Sequence, residues 1–540
     1  MAKLYSIPPI PPDEATPLVK ALVDVIDRMA EDITGKTEKI QQLRDEIAEL
    51  KGQKAKPKFK PSGMNEKAGI KNEPASNVEK KKRPGSHKRN KTEQLIIHEE
   101  CVIPPSEPLP PGARFKGYRD VVVQELKIFA HNTRYRLQVW QTDTGQSWVG
   151  QLPANLQGHH YGPELRSYAL YQHHHCHVTQ PRLWEQLTEW GIDISSGQID
   201  AILSTGKEAF FKEKDDLLVT GLEVCQTITV DDSGARHQGK NGYVTHIGND
   251  YFGWFCSTAS KSRINFLELL HAGSIGYEIT DEALNYMDAQ GLSLVVRQSL
   301  QQCALTRFAT TQDWHQHLAT LGINSERHQR IATEGALIGS LLEKGFNPDL
   351  AIISDGAGQF AIFLHALCWI HAERLIHKLI PANELQREAI ARVRGQIWDF
   401  YADLKIYRLQ PDQAKIPELT GRFTAIFTQK THFETLNQLL KRLHRHQNEL
   451  LLVLQRPDVP LHTNGSETDI RDFVKKRKVS GGTRSDTGRK CRDAFASLKI
   501  TCRKLGLSFW KYLTDRVSLT NSIPPLADIL RERVLAAGLP

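Results

Sequence analysis

The chain has 540 residues, 40% hydrophobic and 24% charged, with 70 Lys and Arg against 62 Asp and Glu. That length calls for roughly three or more folding units, and the composition is that of an ordinary globular protein. No apolar run approaches the ~18 residues of a membrane span, and the opening MAKLYSIPPIPP lacks the apolar stretch of a secretory signal.

The eight cysteines are scattered without a CxxC pair, which excludes a disulfide scaffold and points to a reducing cytoplasm. Charge is unevenly placed. Residues 51–91 carry 14 Lys and Arg against three Glu, and 471–504 carry 12 against three Asp, so the remainder is net acidic. Two basic segments on an acidic body suggest a polyanionic partner, with a phosphate backbone the usual candidate.

In chain order, Leu22, Ile26, Met29, Ile33, Ile40, Leu43, Ile47 and Leu50 alternate by four and three, with only Lys36 breaking the seam. This predicts a coiled coil within residues 1–52 and self-association through it. Residues 53–95 hold scarcely any large apolar side chains and read as a disordered basic linker. Alternation in VVVQELKIFAHNTRYRLQVWQT predicts a small β-rich module over 96–150. Residues 151–221 read as helical. There QPRLWEQLTEWGIDISSGQIDAIL contains two helices broken at Gly191, with Ser195 or Ser196 capping the second, a plausible helix-turn-helix for DNA.

From 222 the period changes. LEVCQTITVDD reads as a strand ending in two acids, and NGYVTHIGND and YFGWFCSTA as two more joined by a Gly-Asn-Asp turn. SRINFLELLHA reads as a helix, and 272–350 as a largely helical insertion. LAIISDGAG is a buried strand ending in Asp355, followed by one apolar helix, FAIFLHALCWIHAERLIHKL. A second helical insertion spans 380–455. The helix of HTNGSETDIRDFVKK should begin near Ser466, capped by Asn464 or Ser466. Residues 516–540 are left as a C-terminal tail.

Asp231 follows Ile228-Thr229-Val230, and Asp355 follows Ile352-Ile353-Ser354, so both acids end apolar strands, where open α/β sheets place their sites. Glu467 opens a helix. Three carboxylates gathered at one sheet edge can hold two hard cations about 3.5–4 Å apart, the arrangement that phosphoryl transfer uses to neutralise charge. Asp232 competes with Asp231 for the first position; on an alternating strand only one of them points toward the site.

These segments resemble the insertion-sequence 66 family of DDE, RNase H-like transposases. Asp231-Asp232-Ser233-Gly234 with Arg236 is similar to that family's Asp-Glu-Thr-Gly-x-Arg. Ser354-Asp355-Gly356 precedes Cys368-Trp369-Ile370-His371-Ala372-Glu373-Arg374, close to its Cys-Trp-x-His-x-x-Arg helix. Thr463-Asn464-Gly465-Ser466-Glu467 is followed by Arg477-Lys478 and a Gly-Thr-Arg-Ser segment at 482–485, and Thr501-Cys502-Arg503-Lys504-Leu505-Gly506 also matches.

The resemblance covers about 225–515. It implies an α/β RNase H-like catalytic core over 222–515, a mixed sheet with helices, interrupted by the all-α insertions. Asp231, Asp355 and Glu467 would be its catalytic metal ligands, for two Mg²⁺ ions that Mn²⁺ can replace. Lys476, Arg477, Lys478, Arg484 and Arg489, directly after Glu467, are the expected phosphate contacts. The implied function is metal-dependent cleavage and strand transfer at the ends of an insertion sequence. An RNase H-like nuclease, a junction resolvase or a non-catalytic DNA-binding derivative of a transposase would share parts of the pattern.

The expected partners are double-stranded DNA, as element ends and target, a second copy of the chain, and any element-encoded accessory proteins. No guide nucleic acid and no membrane are expected, and the expected location is the cytoplasm, at the nucleoid in a prokaryote.

Two motifs fall outside this scheme. The family's cysteine-rich zinc module is reduced here to Cys101 with His98, too few ligands for a tetrahedral zinc. His173-His174-His175-Cys176-His177 reads as polar helix or loop, because adjacent helical ligands point in different directions.

Overall fold

A computed structural model describes residues 95–538 and, before them, Thr16, Leu18, Val19, Leu22, Val25, Ile26 and Met29. The coiled coil expected over 1–52 and the linker over 53–95 lie almost wholly outside the described residues. The chain divides into two units, residues 7–128 and, with residues 1–6, residues 129–540.

The expected β-rich module is largely absent. Residues 95–138 form neither helix nor strand, and only a hairpin of β1 (Val139–Gln141) and β2 (Ser147–Val149) follows. Val121, Val123 and Leu126 are more than 70% exposed. Among the described residues no sheet or helix buries their alternation, and an unburied apolar face does not hold a strand in place.

Four helices lead to the sheet: α1 (Pro163–His174), α2 (Gln180–Glu189), α3 (Ser196–Ser204) and α4 (Glu208–Val224). The break between α2 and α3 is as the sequence predicts. Gly191 takes φ +79°, which a side chain would resist, and Ser195 caps α3 in a reciprocal capping box with Gln198.

The central sheet has five strands in the order β5-β4-β3-β8-β9. β3 (Thr227–His237), β4 (Lys240–Gly248) and β5 (Gly253–Thr258) form an antiparallel meander, and β8 (Ala351–Ser354) and β9 (His365–Leu367) add parallel to β3. A mixed sheet of this kind is compatible with an RNase H-like core.

Two sequence expectations change here. β3 does not end at the two acids; it runs on to His237, because the far half pairs with β4. The single helix expected from Phe360 is a strand followed by a helix. His365–Leu367 pair with Ile352–Ser354, and only Trp369–His377 is helical. A short apolar run fits a buried strand and a buried helix equally well by period, and the free edge of β8 decides it. His365 therefore lies on β9, and His371 on the helix that follows.

Between β5 and β8 lie α5 (Arg263–Leu270), α6 (Asp281–Ala289), α7 (Leu294–Gln301), α8 (Thr311–Thr320) and α9 (Glu326–Glu343), with a two-stranded ribbon of β6 (Tyr277–Glu278) and β7 (Arg307–Phe308). The helix Trp369–His377 is α10. A second helical block follows: α11 (Glu384–Leu409), α12 (Ile416–Thr428), α13 (Glu434–Arg445) and α14 (Gln447–Leu450), with its own core around Trp369, Phe400, Phe423 and Leu440.

Then come α15 (Asn464–Ser480), α16 (Asp486–Lys504), α17 (Phe509–Val517) and α18 (Leu526–Ala536). The region taken as a tail is folded: Leu526, Leu530 and Val534 of α18 join the same core as Leu218 and Leu222 of α4.

α16 closes the exposed edge of the sheet, a place where unpaired strand groups need partners. Along β5 the amides of Gly253, Phe255 and Ser257 donate to Thr501 Oγ1 (3.2 Å), Ser497 Oγ (2.9 Å) and Asp493 Oδ2 (2.7 Å). The approach is close enough that a Cβ on Gly253 would lie 2.7 Å from Ile500 Cγ2.

Candidate active site

The register of β3 on β8 pairs Thr227 with Ala351, Ile228 with Ile352 and Thr229 with Ile353. Carried two residues on, the same offset sets Asp231 level with Asp355. Residues level on neighbouring parallel strands point to the same face. The Asp231 carboxyl is pushed up to about 7, first by burial and then by the charges of Asp355, Glu467 and Asp232. Its Oδ1 accepts the backbone N–H of Asp232 at 2.8 Å.

Asp232 points the other way, and both its oxygens are taken. Thr245 Oγ1 donates to Oδ1 at 2.6 Å and Gln359 Nε2 to Oδ2 at 2.8 Å. Burial raises its carboxyl, while those two bonds and Lys261 work against the rise. Asp355 is exposed just beyond β8, and its Oδ1 accepts the N–H of Ala357 at 2.9 Å.

Glu467 comes from the first turn of α15. Neither Asn464 nor Ser466 caps this helix as the sequence suggests; Thr463 is the N-cap and makes no side-chain capping bond. Ser466 Oγ is instead 2.5 Å from Thr229 Oγ1, two residues before Asp231. That buried link fixes the start of α15 against β3. One oxygen of Glu467 meets two side chains of α10: the Arg374 guanidinium, Nη2 at 3.3 Å, and the His371 imidazole, Nε2 at 3.4 Å.

α10 is held rigidly to present them. Trp369 donates its indole N–H to the Leu450 carbonyl (2.9 Å), and Glu373 ion-pairs with Arg394 of α11. Burial and Arg374 lower the His371 imidazole, against the pull of Glu467 and Asp355. His371 and Arg374 are the site residues that spacing alone passes over; the signal was their separation of three on a helix, which sets both on one face.

All three acids offer hard oxygen donors, and the part of the upward push on Asp231 that comes, after burial, from Asp355 and Glu467 is like-charge crowding that a bound cation relieves. The donor set therefore fits divalent metal. Among the described residues, no three His, Cys, Asp or Glu side chains are gathered as a ready metal cluster; Glu467 faces Arg374 and His371.

The basic residues after Glu467 divide. Lys476 is buried, not presented to solvent: its ammonium donates to the His173 carbonyl at 2.6 Å, and burial with Arg492 and Lys499 pushes it down to about 7. Its place on α15 faces α1. Arg477 lies over β3, its Nη1 3.4 Å from where a Cβ on Gly234 would stand. Lys478 and Arg484 are exposed, and Arg489 pairs with Asp486 at 2.9 Å. The histidine run packs between α1 and neighbouring helices: His174 stacks on Phe495, and His177 lies 3.5 Å from Asp472.

A family model described as "Transposase IS66 family" matches residues 334–491, a span that holds Asp355, His371, Arg374 and Glu467 but begins after Asp231. A relative from Sinorhizobium fredii, described as "Uncharacterized protein y4jO", is 43% identical over 317 residues, 58% of this chain and 99% of the relative. No helix among the described residues is long and apolar enough to cross a membrane.

Proposed function

The chain belongs to the IS66 family of transposases, and we propose that it cleaves and joins DNA strands at the ends of its element, using Asp231, Asp355 and Glu467 as the ligands of two divalent cations, Mg²⁺ by preference. The observation that supports this most strongly is the parallel pairing of β3 with β8 up to Thr229 and Ile353, with Asp355 and Glu467 near enough to raise the Asp231 pKa. Bound there, the cations would neutralise the phosphodiester and make the attacking oxygen nucleophilic.

The chain's own residues would do the rest. β3 holds Asp231, the bend just beyond β8 brings Asp355 within reach of its charge, and the Thr229–Ser466 bond sets the depth at which α15 offers Glu467. Arg374 and His371 orient its carboxylate. Arg477, Lys478 and Arg484 supply positive charge for the strand being cut. In cleavage, a water oxygen bonds to phosphorus as the 3′-oxygen leaves. In joining, that 3′-hydroxyl attacks a target phosphodiester, and the target's own 3′-oxygen leaves. No covalent protein intermediate is required.

Duplex DNA is the proposed partner, and the N-terminal heptads are the proposed means of self-association. The direct test is incubation of the purified protein with its element's terminal DNA and Mg²⁺. Nicked ends and joined products are expected, and neither should form in EDTA.

A further inference from the structure

Five residues beyond Asp231, β3 enters a shallow surface cleft of about 10 Å³, room for one water, that the catalytic reading does not use. Its walls include Arg236, His237, Tyr243, Thr483, Arg489 and Arg492, brought from three distant stretches of the chain. Backbone pairing builds it. Thr483 N–H donates to the Arg236 carbonyl at 2.9 Å, and Gln238 N–H to the Thr483 carbonyl at 2.8 Å, so the segment after α15 lies against the end of β3. The Arg236 guanidinium is steadied by the Gly239 carbonyl at 3.1 Å, and Arg492 by the Gly481 carbonyl at 3.1 Å. Two acids lie at this cleft: Asp486, shared between His237 (3.2 Å) and Arg489 (2.9 Å), and Asp493, which accepts from Ser257 at 2.7 Å and whose charge reaches Arg492. Three arginines against two aspartates leave it cationic.

The cleft does not stand alone. Lys261 sits 5.5 Å from the Tyr243 ring, and its charge also reaches Asp232. Arg477 covers Gly234, between Asp231 and Arg236. Cations thus follow β3 from the acids to the cleft. Arg236 stands four residues from Asp232 and so on that residue's face of β3, about 14 Å along the strand. A single small anion would need only one end of this line; a polyanion uses all of it.

We propose that the Arg236–Arg489–Arg492 cleft is a phosphate-binding site for duplex DNA, gripping the backbone away from the phosphate that is cut. It rests on the reading of Asp231, Asp355 and Glu467 as the cleavage site, and it adds a second grip that does not depend on metal. Its ligand is the sugar–phosphate backbone, so it reads no sequence.

Binding of the full chain to a fluorescent duplex of about 30 base pairs, in EDTA over a salt series, tests the proposal, because each phosphate contact contributes about 0.9 to the slope of log affinity against log salt. Arg236→Gln and Arg489→Gln should each lower that slope by about one and weaken binding about tenfold at moderate salt. Arg236→Lys should keep most of the slope, and Lys430→Gln, which removes one exposed charge from the second helical block, should change neither quantity. Circular dichroism of each variant checks the fold, and Arg236→Lys serves if Arg236→Gln is unfolded.

Slopes and affinities unchanged in the Gln variants, or equal losses in Lys430→Gln, would overturn the proposal. Asp355→Asn in the same assay should bind like the wild type. Failure of the catalytic reading would therefore show in cleavage alone, and failure of the cleft in binding alone.

Discussion

Glu467 shares one carboxylate oxygen between Arg374 and His371, 3.3 and 3.4 Å away on a single face of α10. An acid proposed to hold a cation is thus steadied by two side chains that also carry or can carry positive charge. This places α10, and through Trp369 the whole second helical block, in mechanical contact with the site.

Arg374→Gln should therefore lower the cleavage rate at saturating DNA by about 10²-fold, the scale of a 1 Å misplacement of a catalytic group, with DNA affinity little changed. Arg374→Lys should restore part of the rate. Single-turnover cleavage beside anisotropy binding checks this; a loss of binding as large as the loss of rate would assign Arg374 to DNA contact instead.

The metal-free protein should lose stability as pH rises through about 7 because of Asp231. Its folded carboxyl is raised to about 7 by burial and by Asp355 and Glu467, above the ~3.9 of an unfolded Asp. The stabilising proton is therefore fully present below about pH 4 and is lost as pH climbs through 7. Melting in EDTA between pH 5.5 and 8.5 should show Asp231→Asn less dependent on pH than the wild type. Parallel curves for the two proteins would contradict the crowding of the three acids.

Lys476→Gln should leave the salt dependence of DNA binding unchanged, because the ammonium is buried against His173. Lys478→Gln and Arg484→Gln, both exposed, should each flatten it by about one phosphate contact. A salt slope lowered by Lys476→Gln would mean that α15 turns when DNA binds.

These contrasts show what the sequence could carry. Asp355 at the end of β8, the Gly191 break and the Ser195 cap are local signals, written in residue type and period, and the structure repeats them. Lys476 failed because a run of basic residues on a helix does not say which of them faces a neighbouring helix; α1 decides that from 300 residues away in sequence. β9 failed because pairing with β8, not the period of FAIFLHAL, selects strand over helix. The fold of α18 was missed because burial against α4 depends on a partner 300 residues earlier. Asp231 and Asp232 were indistinguishable until Thr245 and Gln359 took up the second.

The N-terminal heptads make a separate claim. Removal of residues 14–52 should convert a self-associated protein into a monomer at micromolar concentration. Sedimentation of the two lengths of chain measures it, and equal masses per chain would leave the apolar seam of Leu22 to Leu50 without that role.

The most direct measurement is the rate of strand cleavage on the element's own terminal DNA, with Mg²⁺, for the wild type and Asp355→Asn at matched DNA occupancy. An amide is a poorer ligand than a carboxylate for a hard cation, so the expected result is cleavage and joining by the wild type, none detectable in the variant, and equal DNA binding by both. Cleavage by Asp355→Asn at the wild-type rate would contradict the assignment of Asp231, Asp355 and Glu467 as one metal-dependent site.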